Sequence, residues 1–394
     1  MQLSVDGSGA LQKSVLLLPA LVLSGFTALI ASMLSGLLLI DISQTFNISV
    51  GIAGQMNTLS FIIAVVFALL TSILSVKYNH KTLLQAGLLA ATLSAAGCYF
   101  SFSFTTLLAS FSVSGIASVL TVTMAFTLTE LFPQQKRGEV IGFIIAGMSG
   151  SYVVGALIVP YLLGFGGWRY AYLGYMLPSA LLTLVLVTIG VPKEHNTSSE
   201  KLNLGEGFKS IITNRSAFFS LLGYSLAMVQ WQGILTYNTS FYRESFLVSI
   251  EQATLIILMG ALLYTFGSVV SSRIAGRVER KMLISASILV ASLMSMVFTA
   301  LSFFWVSVGL MGAMCFLVGV MDASSTSQII EQVPPYAGIM MSLQRAVTQV
   351  GYSIGSGIGG MILTFSNYPS MYAILGLFGV VSAIVFHWLT KDTR

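Results

Sequence analysis

Residues 60–97 read SFIIAVVFALLTSILSVKYNHKTLLQAGLLAATLSAAG, two apolar runs divided by a short break that carries Lys77, His80 and Lys81. A bilayer core about 30 Å thick takes roughly 20 residues of helix, and backbone groups in hydrocarbon must find partners within their own segment. Each run here suits one crossing helix, and the same alternation of apolar run and basic break continues along the chain. The 394 residues are 56% hydrophobic and only 8% charged, too few charges to cover a water-soluble domain of this length. The chain reads as an all-α integral membrane protein with twelve spans, near residues 14–40, 49–75, 82–103, 105–131, 139–163, 170–190, 217–242, 249–272, 282–303, 305–331, 338–363 and 370–389.

Charge orients these spans. With a cytoplasmic amino terminus, the inner segments hold Lys13, Lys77, Lys81, Lys136, Arg137, Lys193, Lys201, Lys209, Arg215, Arg273, Arg277, Arg280, Lys281, Lys391 and Arg394, against Arg169 and Arg243 outside. The positive-inside rule then predicts a multi-pass protein of the cell membrane with both termini cytoplasmic. This distribution accounts for the net charge of +5. It argues against nucleic-acid binding, because the basic residues are spread over separate breaks and form no single patch. A second span follows the first without a small-residue cleavage site, so the first run reads as a retained helix and not a signal peptide. Cys98 and Cys315 fall inside apolar runs, where they suit packing better than a disulfide framework.

The longest polar segment, 192–216, divides the chain. It predicts an amino-terminal six-helix half at 1–190, a cytoplasmic linker at 191–216 with a short amphipathic piece near 208–212, and a carboxyl-terminal six-helix half at 217–394. The halves resemble each other. Ser72, Leu74, Lys77, His80, Lys81 and Leu83 recur as Ser272, Ile274, Arg277, Arg280, Lys281 and Leu283, and Glu130, Pro133 and Gly138 recur as Glu331, Pro334 and Gly338. Gly147, Ser151 and Gly155 find counterparts in Gly351, Gly355 and Gly359, small residues that let helices pack closely. Two pseudo-symmetric six-helix halves are the economical reading, and internal repeats of this kind underlie alternating access in transporters.

On these residues the chain resembles the major facilitator superfamily along essentially its whole length. The resemblance is carried by the loop at 72–81, its partner at 272–281, the run Glu130-Leu131-Phe132-Pro133-Gln134-Gln135-Lys136-Arg137-Gly138, and Trp168-Arg169 before the sixth span. The first loop departs from the family pattern in having Val76 and Gly276 where the family has Asp. What the resemblance implies is secondary transport of a small molecule by rocking of the two halves around a central site, with the seventh helix lining it.

The residues agree on what to leave aside. There is no phosphate-cradling Gly-Lys-Ser/Thr loop and no His or Cys pair at metal-ligand spacing, so neither a cofactor nor an enzyme is expected. Asp322 and Arg345 are the ionisable residues placed well inside spans. Their helices run in opposite directions, which puts them at one depth, as a bridge or as groups that handle substrate or protons; Asp322 is the candidate proton site. Ser325 and Thr326 share the face of Asp322, and Gln349 and Tyr352 that of Arg345. Gln230, Trp231, Gln232, Tyr237 and Asn238 in the seventh span suit a substrate cavity in which rings pack and amides orient a ligand. Glu130 and Glu331 are expected to pair with Lys77 or Lys81 and with Arg277 or Arg280, forming a cytoplasmic gate that includes Arg137. Asp41 reads as a helix-end charge in water.

The leading expectation is a monomeric secondary transporter in the lipid bilayer that exports amphipathic compounds, coupled to protons. Uptake of an anionic or polar metabolite held by Arg345 is the alternative, and a non-transporting membrane sensor is the alternative of a different class.

Overall fold

The computed structural model describes residues 8–192, 204–274, 278–299 and 303–392. Among them are twelve long helices and no strand: α1 (Ser8–Phe46), α2 (Val50–Lys77), α3 (His80–Tyr99), α4 (Phe104–Thr127), α5 (Gln134–Gly166), α6 (Trp168–Gly190), α7 (Arg215–Ser245), α8 (Ile250–Ile274), α9 (Arg280–Phe298), α10 (Phe304–Glu331), α11 (Ala337–Phe365) and α12 (Tyr368–Leu389). Each contains most of one apolar run. Eleven are both long and apolar enough to cross a membrane; α11 has the length, 29 residues, but glycines and polar residues dilute its apolar character.

Local chemistry sets several boundaries. Ser103 and Thr106 form a reciprocal capping box at the start of α4. Asn214 accepts from the N–H groups of Ser216 and Ala217 to begin α7, and Asn367 accepts from that of Ser370 to begin α12. Within α6, Pro178 has no N–H for the carbonyl four residues earlier, and the helix passes that point as a π turn at Tyr172–Met176. The amphipathic piece expected near 208–212 lies within a short helix, Leu204–Thr213, whose Ile211 is buried with Ala217, Leu221 and Phe386. Residues 193–203 of the linker and Arg277 lie outside the described residues.

The chain divides into two compact units, Met1–Leu34 with Val66–Ser199, and Ser35–Val65 with Glu200–Arg394. In the first, α1 lies against α5 so closely that the carbonyls of Val22 and Ile144 occupy the space where Gly147 and Gly25 lack a Cβ. In the second, α7 lies against α11 in the same way, with the carbonyls of Ser225 and Val229 facing Gly351 and Gly355. The repeat extends to single hydrogen bonds. Thr183 Oγ1 of α6 donates to the Leu23 carbonyl at 3.4 Å, and Ser382 Oγ of α12 donates to the Gly223 carbonyl at 2.6 Å. A further close pair joins α8 and α10, where Gly267 faces the Phe316 carbonyl and Gly319 faces the Tyr264 carbonyl.

Lipid tails are as apolar as the side chains they solvate, so such helix pairs hold by contact and not by hydrophobic expulsion. A methyl group at Gly267 would force α8 and α10 apart. Gly267→Ala is expected to lower the thermal midpoint of the purified protein, by the equivalent of about 1–3 kcal/mol of overpacking. No atom lies within 4 Å of the Cβ position at Gly142, so Gly142→Ala should leave the midpoint unchanged or raise it, since alanine is the better helix former by up to about 1 kcal/mol. Equal midpoints for the two variants would contradict the close-packing account.

Candidate substrate and coupling site

An ionisable side chain inside an apolar helix costs roughly 2.5–3.5 kcal/mol on insertion scales, so its neighbours show how the fold tolerates it. Asp322 projects from α10. Tyr224 of α7 donates its hydroxyl to Oδ1 at 2.6 Å, and Tyr264 of α8 donates its hydroxyl to Oδ2. Three helices thus meet on one carboxylate. Trp231, two turns along α7 from Tyr224, stacks on the Tyr264 ring with centroids 6.0 Å and planes 16° apart.

The fourth contributor is α11. Gln344 Nε2 donates to Thr326 Oγ1 at 2.7 Å, one turn from Asp322, and its side chain also reaches the Tyr224 hydroxyl. Tyr352, like Trp231 and Tyr264, packs against the buried cluster that contains Tyr224. The Tyr352 ring meets Phe61 of α2 edge-on, with centroids 5.3 Å apart. The partners of the carboxylate are therefore two tyrosine hydroxyls. Of the alternatives weighed from the sequence, a salt bridge from Asp322 to Arg345 is not formed among the described residues.

The polar residues of α7 divide by face. Gln230 uses both ends of its amide on α9, donating to Ser295 Oγ at 3.2 Å and accepting from Ser292 Oγ at 2.9 Å. Gln232 donates to Thr236 of its own helix, Tyr237 to the Ser356 carbonyl of α11, and Asn238 accepts from Tyr372 of α12. These four are at most 6% exposed, and Gln230, Tyr237 and Asn238 join α7 to other helices. Trp231 is partly exposed and is the member of the set beside Asp322. Ser325 is fully buried against Met321. Gln349, one turn along α11 from Arg345, has a side-chain oxygen with no hydrogen-bond partner. Tyr224, Tyr264 and Gln344 were absent from the sequence-derived set. Tyr224 carried one signal, its seven-residue spacing to Trp231; the other two carried none within their own helices.

The basic breaks are used in several ways. Arg280 at the start of α9 forms an ion pair with Glu331 at the end of α10. Lys81 does not pair with Glu130: its ammonium donates to the carbonyls of Thr188 and Val191 at 2.8 and 2.5 Å, satisfying the end of α6. Arg137 donates to the main-chain carbonyls of Phe132 and Glu130 at 3.1 and 3.0 Å, bracing the 3-10 turn Leu128–Leu131. Lys77 lies over the ring of Tyr78. Asp41 is not a solvated helix end: both its oxygens accept from Arg243 of α7, at 2.5 and 3.2 Å.

A family model described as the Major Facilitator Superfamily matches residues 20–327 and again 221–394. The chain belongs to this superfamily. It is similar to the uncharacterized MFS-type transporter YbcL of Bacillus subtilis, 22% identical over 376 residues and 90% of each chain. It is also similar to the purine ribonucleoside efflux pump NepI of Salmonella enteritidis, 23% identical over 88% of this chain and 87% of that one. Among solved structures, a D-xylose-proton symporter superposes over 98% of this chain and 99% of its own with a TM-score of 0.77 at 14% identity. A bacterial homolog of the human lysosomal transporter Spinster does so over 95% of each chain, with a TM-score of 0.73 at 16% identity. These structural likenesses show the shared fold, and the superfamily marks the chain as a multi-pass membrane transporter.

The packing separates costly from cheap polar changes. Hydrogen bonds to a charged group contribute about 1.5–3 kcal/mol each, so Tyr224→Phe combined with Tyr264→Phe should lower the thermal midpoint strongly. Glu331 is 43% exposed in its pair with Arg280, and Glu331→Gln should cost only about 0–1 kcal/mol. Thermal unfolding of both variants in the same membrane mimetic checks the order; a double phenylalanine variant as stable as the parent would contradict it.

Proposed function

We propose that this chain is a monomeric proton-coupled exporter of small amphipathic compounds, seated in the cell membrane with both termini cytoplasmic. Its halves, 1–190 and 217–394, joined by the linker 191–216, alternate access to a substrate site, and Asp322 carries the coupling proton. The observation that carries this reading is an ionisable carboxylate inside α10 whose two oxygens accept tyrosine hydroxyls beside a stacked pair of aromatic rings. A proton on the carboxylate removes its charge and with it the strongest reason for the tyrosines to stay. Protonation thereby changes what ties α7 and α8 to α10. Trp231, Thr326, Arg345, Gln349 and Tyr352 line the substrate side of that cluster, and the pair of Arg280 with Glu331 serves as a cytoplasmic latch, with Glu130, Lys77, Lys81 and Arg137 at the remaining inner ends. The efflux named for the Salmonella relative supports the outward direction.

Transport in proteoliposomes tests the assignment, with an imposed proton gradient and a panel of aromatic amphipathic compounds and purine ribonucleosides. Asp322→Asn keeps one oxygen to accept from a tyrosine, offers its amide N–H to the other hydroxyl, and cannot titrate. It is expected to reach normal abundance and to catalyse downhill exchange while losing gradient-driven accumulation. Full uphill transport by Asp322→Asn would remove Asp322 as the proton carrier.

A further inference from the structure

The polar segment that divides the chain ends in a helix that transport itself does not call for, Leu204–Thr213. Its Ile211 is buried with Ala217 and Leu221 of α7 and Phe386 of α12, while Lys209 and Ile212 are exposed. The start of α7 and the end of α12 meet beside it. The Lys391 N–H donates to Ser216 Oγ at 2.8 Å, and the Lys391 carbonyl accepts from Gln328 and Gln332 of α10 at 3.2 and 3.0 Å. With its main chain held on both sides, Lys391 leaves its side chain exposed close to Arg215, which is exposed as well. Each of these two cations heads an exposed apolar strip: Phe218 and Leu222 on α7, with the Arg215 guanidinium 5.8 Å from the Phe219 ring centre, and Ile384 and Trp388 on α12. The spacings of three, four and seven residues place cation and strip on one face of each helix. Among the described residues none of Lys209, Arg215 and Lys391 forms an ion pair, and the carboxylate oxygens of the neighbouring Asp392 are buried.

Exposed cations at the head of apolar strips match the two parts of an anionic lipid, a phosphate at the edge of the hydrocarbon and acyl chains running from it. We propose that the surface shared by the helix Leu204–Thr213, the start of α7 and the end of α12 binds an anionic phospholipid. Its phosphate sits among Lys209, Arg215 and Lys391, and its chains lie along Phe218, Leu222 and Trp388. One guanidinium and two ammonium groups offer charged donors to the phosphate oxygens. A zwitterionic lipid brings a cationic group of its own to the same place, where it meets like charge, so the site prefers lipids of net negative charge. The bound lipid joins the linker helix to the two helices it rests on, and does so independently of Asp322 and of any substrate.

Trp388, 75% exposed on the α12 strip, reports on the lipid beside it. The full chain is placed in phosphatidylcholine nanodiscs that contain a small fraction of a lipid with brominated acyl chains, either phosphatidylglycerol or phosphatidylcholine. Bromine quenches tryptophan fluorescence on contact, and the Trp388 contribution is the difference between the parent protein and Trp388→Phe. Brominated phosphatidylglycerol should quench Trp388 at roughly a tenth of the mole fraction that brominated phosphatidylcholine needs. That preference should fall by about fivefold or more when Arg215→Gln and Lys391→Gln are combined. It should persist when Lys136→Gln and Arg273→Gln are combined, since that pair removes the same charge from exposed positions elsewhere. Equal quenching by the two lipids in the parent protein overturns the proposal, an outcome that requires neither double variant to fold. An unchanged preference in a folded Arg215→Gln, Lys391→Gln protein overturns it as well. Equal losses in the two double variants would mean that the lipid follows the overall surface charge, and would also defeat the assigned site.

Discussion

A carboxylate buried among apolar helices is tolerable only where donors surround it, and four helices of the second unit are organised around that requirement at Asp322. For Tyr224 and Tyr264 to arrive from α7 and α8, the backbones must come close. Gly319 lies one turn before Asp322 on α10, and the space of its missing side chain is filled by the carbonyl of Tyr264, the residue whose hydroxyl reaches the carboxylate. Gly351 and Gly355 bring α11 equally close to α7. The glycines and the polar cluster are thus parts of one arrangement: the first sets the helix separation that the second needs.

The same logic explains why neighbouring polar residues on α7 have different roles. An amide within a membrane helix must find partners, and for Gln230 these are Ser292 and Ser295 of α9. Asn238 finds Tyr372, and Tyr237 finds the Ser356 carbonyl. With those groups satisfied by packing, Trp231 remains the residue of that stretch that faces the carboxylate cluster. The second unit also includes Ser35–Val65, where Asp41 binds Arg243 through both oxygens and Leu37 accepts from the same guanidinium at 3.4 Å. Paired two-point contacts of this kind are among the stronger charged hydrogen bonds.

The helices were legible in the amino-acid sequence because each apolar run answers a local constraint, the length of helix that spans hydrocarbon, and Asp322 stood out because charge inside such a run is costly. The glycine spacing of 147–155 and 351–359 announced close packing for the same reason, since three- and four-residue intervals share a face. The partners were not legible. Arg243 lies 202 positions from Asp41 and Tyr224 lies 98 from Asp322, and which helix lies beside which leaves no mark within either segment. Lys81 illustrates the difference: its charge suggested a carboxylate, while the unsatisfied carbonyls at the end of α6 offered acceptors of equal use nearby.

The central claim is that Asp322 changes protonation state within its tyrosine cage. Infrared difference spectroscopy of the protein in lipid between pH 8 and pH 5 reads this directly through the carbonyl stretch of a protonated carboxyl group. The account predicts a band that appears on acidification and is absent from Asp322→Asn. Its persistence in Asp322→Asn, or the absence of any Asp322-dependent band across the range in which a proton gradient drives transport, would contradict it.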